Sequence, residues 1–70
     1  MNNAILLKFK PPYKDWLLKN QKLRTGLYKV LINNIGMALI SESGEGKDMQ
    51  STILCDGELI CVYSRLLELY

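Results

Sequence analysis

The sequence predicts a mainly β fold: a small antiparallel barrel or strongly curled sheet of about five short strands, with one short helix or helical turn near residues 13–19. Three observations carry that expectation. Ser51–Tyr63 brings two apolar, β-prone runs together at Asp56-Gly57, and a two-residue type I′ turn needs such a pair because both central residues take φ > 0. Turn-forming pairs punctuate the remainder at short intervals, at Pro11-Pro12, Thr25-Gly26 and Asn33-Asn34. No apolar pattern of helical period lasts beyond about two turns. An α+β open sheet with one helix is the competing architecture.

The elements follow in order. Ala4–Lys10 alternates, with Ile5, Leu7 and Phe9 on one side and Lys8 and Lys10 on the other, which predicts a strand at a sheet edge guarded by lysines. Pro11-Pro12 ends it, because neither residue can donate to a ladder. Tyr13, Trp16, Leu17 and Asn20 have helical spacing, so a short helix is expected over Tyr13–Lys19, with Trp16 as a buried anchor. After a turn at Thr25-Gly26, Leu27–Asn33 reads as a second strand with apolar residues on both faces. Asn33-Asn34 turns the chain into a third strand, Met37–Ile40, antiparallel to the second. Ser41–Gln50 is polar, glycine-containing and aperiodic, the composition of a mobile loop. In the hairpin that follows, Cys55 faces Glu58, Leu54 faces Leu59, Ile53 faces Ile60 and Thr52 faces Cys61. Ser64-Arg65 breaks the alternation before a last strand or helical turn over Leu66–Tyr70.

That layout resembles SH3-like barrels: a long loop after the first strand, then a meander, then a one-turn helical break at Tyr63-Ser64-Arg65 before the last strand. Lys14-Asp15-Trp16 and Ser64-Arg65-Leu66 stand where peptide-binding SH3 domains carry an acidic loop and a proline-tyrosine pair. The resemblance therefore implies a fold and no ligand-binding residues.

At 70 residues the chain makes one domain, 1–70, near the size at which a single core barely suffices. Its 49% hydrophobic and 23% charged residues are a globular composition, not a disordered one. No apolar run approaches the roughly 18 residues of a membrane span. Ala4–Leu7 is too short for a secretory leader and lacks a basic region ahead of it. A soluble, cytoplasmic protein is the expectation.

Catalytic and ligand-binding motifs are sparse. Around Gly46-Lys47, Ser41 and Asp48 replace two of the four defining positions of a phosphate-binding loop, and Glu42 and Glu45 would repel a phosphate. There is no histidine to act as a general base. The alternation of the hairpin sends Cys55 and Cys61 to opposite faces, where each reads as a buried thiol rather than half of a disulfide. Two cysteines without histidine cannot complete a structural zinc site. No enzyme activity, cofactor or metal is expected.

Charge placement is more informative. Residues 1–30 hold Lys8, Lys10, Lys14, Lys19, Lys22, Arg24 and Lys29 against Asp15 alone, whereas 31–70 hold Lys47 and Arg65 against six carboxylates. Lys8, Lys10, Lys14, Trp16, Lys19, Lys22 and Arg24 thus form a candidate basic and aromatic partner-binding surface. Both faces of the hairpin are also apolar, more than a sheet with one wet face requires. Either residues 13–23 and the C-terminus wrap the outside, or another chain does, as a homodimer or a larger protein. The function expected is that of a small non-enzymatic binding protein, a subunit, adaptor or inhibitor, whose partner is a protein of acidic character. The alternative is a nucleic-acid-binding small β-barrel that uses the basic N-terminal third.

Overall fold

The computed structural model describes residues 4–70; the reading of residues 1–3 as no leader lies outside them. Five strands and two helices follow in the order β1 (Leu6–Phe9), α1 (Pro11–Asn20), α2 (Thr25–Ile32), β2 (Met37–Ser43), β3 (Gln50–Cys55), β4 (Glu58–Tyr63) and β5 (Leu67–Leu69). Single 3-10 turns at Gly46–Asp48 and Ser64–Leu66 join β2 to β3 and β4 to β5. The strands form one antiparallel sheet in the order β4-β3-β2-β1-β5.

The sheet is not closed into a barrel: β4 and β5 are its edges, and no ladder joins them. It is nevertheless bent. A flat sheet of five strands is roughly 19 Å wide, at about 4.8 Å per gap. Only Ser64–Leu66 separate its two edge strands in the chain, and a 3-10 turn advances about 2 Å per residue. The edges must therefore converge at that end. β2 accommodates the bend: Met37 and Ala38 pair with β1, the strand continues alongside β3, and the register slips between Leu39 and Ser41. The Ser51 and Ser64 hydroxyls, 2.6 Å apart, fasten the connecting turn to the start of β3.

The hairpin register is the one expected, from Cys55 opposite Glu58 to Thr52 opposite Cys61. Asp56 at φ 48° and Gly57 at φ 85° make the turn. The helix expected at 13–19 is present and longer, because Pro11-Pro12 not only stops β1 but occupies the first helical positions, where no N–H is needed. Its partner anchor is Leu17, not Trp16. Trp16 is exposed and stacks on Tyr13 with ring centroids 5.7 Å apart.

Five further expectations are corrected. Leu27–Asn33 is no strand; it lies in α2 and its C-cap. Read with a period of two, both its faces are apolar. Read with a period of 3.6, Leu27, Val30 and Leu31 turn inward while Tyr28, Lys29 and Ile32 face water. Gly26 lies within the first turn of α2 and is buried; an added Cβ would stand 3.1 Å from the Cys55 carbonyl oxygen. A residue that reads as a turn thus lets the helix press against the hairpin. Because that segment is helical, β2 pairs with β1 and β3 instead. β1 is consequently not an edge; it lies between β2 and β5, and Lys8 reaches Glu68 across the β1–β5 ladder at 3.5 Å. Finally, the ladder extends into the polar loop, pairing Ser43 with Gln50, so the connection shortens to 44–49 around its 3-10 turn.

The core lies between the two helices and one face of the sheet. Phe9, Leu17, Val30, Leu31, Met37, Ile53, Cys55 and Leu67 form it, with Leu23, Leu27, Ile60 and Val62 packed against them.

Candidate protein-binding surface

Both helices contribute to the core on one face of the sheet, so the residues 13–23 do not wrap the other. Among the described residues nothing covers the outer face. Across it, ladder partners place Leu6 beside Ala38, Ala38 beside Leu54, and Leu54 beside Leu59. Four consecutive strands thus present one apolar row, in which Leu6 is 43% exposed, Leu54 39% and Leu59 63%. Ile40, at the bulge, and Tyr63, at the end of β4, are exposed as well. Single exposed leucines are ordinary on a protein surface; four residues in adjacent register are a patch.

Beside this row runs the free edge of β4. In a two-residue hairpin the residues flanking the turn, Cys55 and Glu58, exchange both backbone hydrogen bonds, and pairs alternate from there. Glu58, Ile60 and Val62 therefore direct their N–H and C=O groups at β3. Leu59 and Cys61 direct theirs outward, as Tyr63 does its N–H, where the described residues provide no strand to meet them; the Tyr63 carbonyl belongs to the 3-10 turn that follows. A cleft of about 340 Å³ is lined by Leu59, Ile60 and Cys61 on one side and by Lys22, Leu23, Arg24 and Leu27 on the other.

The basic and aromatic set is not gathered into one surface. Lys22 and Arg24 line the cleft beside β4. Lys8 and Lys14 line a second cleft, of about 410 Å³, floored by Phe9, Val30, Leu31 and Met37. There Lys14 Nζ donates to Asn34 Oδ1, and the Tyr70 hydroxyl donates to the Asn34 carbonyl at 2.7 Å. Lys10 caps α1 with its backbone carbonyl, and Trp16 and Lys19 lie on the exposed part of that helix. Much of the charge asymmetry along the chain is answered within the molecule. Lys8 pairs with Glu68, Arg24 with Glu58 at 3.0 Å, and Lys29 with Asp56 at 3.6 Å, each joining the basic half to the acidic half. Lys10, Lys14, Lys19 and Lys22 meet no carboxylate among the described residues.

The two cysteines lie on opposite faces, as the alternation requires, but only Cys55 is buried; Cys61 is exposed. Burial, and then the Glu58 carboxylate, push the Cys55 thiol up to about 11, so it is a poor nucleophile. Among the described residues no three His, Cys, Asp or Glu side chains converge to hold a metal ion. No helix among them is long and apolar enough to cross a membrane.

The outer row was foreshadowed by the hairpin's two apolar faces. Leu6 was not, because the alternation of β1 makes it the odd residue among lysines. Compared with protein-family models, curated proteins and solved structures, the chain matches none.

Proposed function

We propose that this protein is a small non-enzymatic binding protein that acts by contact with another protein, as a subunit, adaptor or inhibitor. The observation that carries the reading is the row Leu6–Ala38–Leu54–Leu59, uncovered among the described residues, continuous across four strands and adjoining the β4 edge. The partner is acidic. Four lysines between Lys10 and Lys22 remain unanswered by carboxylates of the described residues, and such charges steer encounter with an oppositely charged surface. Their dispersal around α1 and its flanks favours a protein over nucleic acid, whose regular phosphates reward a concentrated basic stripe.

The same proposal includes the fold family. The long helical insertion after β1, the β2–β3–β4 meander and the 3-10 turn before β5 support reading the sheet as an opened SH3-like barrel.

The test compares the wild-type protein with a Leu54→Lys/Leu59→Lys variant as bait in the native host, quantifying what each retains. A protein held by the wild type and lost from the variant supports the reading. Identical retention by both, or salt-sensitive binding of DNA or RNA in place of any protein, sinks it.

A further inference from the structure

We propose that the edge of β4 accepts an extended, acidic segment of the partner protein as a sixth strand. The inference rests on the protein-contact reading above and specifies where the partner docks and with what chemistry.

The backbone supplies the template. Leu59 and Cys61 each turn an N–H and a C=O away from β3, and Tyr63 its N–H, at a spacing of about 6.8 Å, which is the repeat an added antiparallel strand matches; the Tyr63 carbonyl serves the 3-10 turn that follows. Edge strands are commonly guarded by proline, lysine, a bulge or extreme shortness. β5, the other edge, is three residues long. β4 is six residues long and carries neither proline nor lysine; its one charge, Glu58, is held by Arg24. It is the unguarded edge of this sheet.

The cleft gives that edge its selectivity. Successive side chains of a strand leave opposite faces, so a cavity lined by Leu59, Ile60 and Cys61 in sequence runs along the strand rather than over one face. Its far wall belongs to the helical layer. Leu23 and Leu27, packed on the core, give it an apolar floor, and Lys22 and Arg24 give it a cationic rim. Arg24 is 79% exposed at its side chain, and only Nη1 of its guanidinium is engaged, on Glu58; Lys22 is unpaired among the described residues. An incoming strand therefore sets apolar side chains against Leu23 and Leu27, and carboxylates against Lys22 and Arg24. On its other face, apolar residues extend the row that ends at Leu59. A second copy of this chain fits worse. Its β4 offers only Glu58, already committed to Arg24, and would leave both Lys22 side chains unanswered.

The experiment selects binders from a displayed random-peptide library on the full-length protein and maps the winners by amide chemical shifts. The expected winners lack central proline and intersperse Asp or Glu with apolar residues. They shift and protect the Leu59, Cys61 and Tyr63 amides, and bind more weakly as salt rises. Lys22→Glu should weaken them about tenfold or more. N-methylation of the peptide at every second amide should abolish binding in one phase and spare it in the other, with the protein itself unchanged. Cys61→Pro, which removes an outward N–H and leaves the ladder to β3 intact, should abolish it too. Failure to select any peptide, basic winners, indifference to methylation phase, or dimerisation through β4 without peptide each overturns the proposal. Winners that shift only Leu6, Ala38 and Leu54 overturn edge docking while leaving the protein-contact reading in place.

Discussion

Cys55 and Cys61 occupy the same hairpin, six positions apart, yet face opposite worlds: Cys55 is fully buried with its sulfur 3.2 Å from that of Met37, and Cys61 sits in solvent with its thiol 3.0 Å from Gln50 Oε1. A thiol-specific reagent should therefore modify one cysteine per native chain. Cys61→Ser should remove that fast reaction, and denaturant should release a second equivalent from Cys55. Two fast thiols, or none, would refute the placement of the hairpin.

Cys55 also makes stability depend on alkaline pH. Its folded thiol keeps its proton up to about 11, whereas the unfolded thiol loses it from 9.0 upward. The unfolded state then binds fewer protons in that window, so stability falls as pH rises from 9 to 11. The loss amounts to roughly 2–3 kcal/mol. Cys55→Ala should be less stable at neutral pH yet show a shallower decline over the same window in denaturant titrations.

Adjacent rungs of the β3–β4 ladder should respond oppositely to truncation. Ile53, opposite Ile60, is fully buried, and Ile53→Ala should cost about 2–5 kcal/mol through lost burial and the cavity left behind. Leu54, opposite Leu59, faces the open side. Leu54→Lys and Leu59→Lys should change unfolding free energy by less than about 1 kcal/mol. Thermal and denaturant melts of the variants decide this; a large loss at Leu54 would mean that the outer face is covered.

The turn separates backbone strain from charge. Gly57 sits at φ 85° with open space where a Cβ would be, so Gly57→Ala costs only the left-handed conformation, about 1–2 kcal/mol. Asp56→Asn keeps a residue tolerant of positive φ and gives up an exposed pair with Lys29 at 3.6 Å. It should alter stability by no more than about 1 kcal/mol. Equal effects at the two positions would contradict this division.

The local signals in the chain were sufficient wherever a few residues decide the outcome. Asp56-Gly57 dictates a turn whose sterics set the register of twelve strand residues, and Pro11-Pro12 marks the end of β1 whatever surrounds it. The same alternation places Cys55 and Cys61 on opposite faces without any reference to the rest of the molecule.

Leu27–Asn33 needed the fold. Its β-branched and aromatic residues suit a strand, but packing of Leu27, Val30 and Leu31 on the sheet, with Gly26 against the Cys55 carbonyl, stabilises a helix instead. The charge asymmetry needed it as well: only folding shows that Glu58, Asp56 and Glu68 answer Arg24, Lys29 and Lys8. Two apolar faces on one hairpin were visible in the order of residues. Which face would be buried was decided by where α1 and α2 could pack, because burial is a property of neighbours distant in the chain, and no local pattern encodes it.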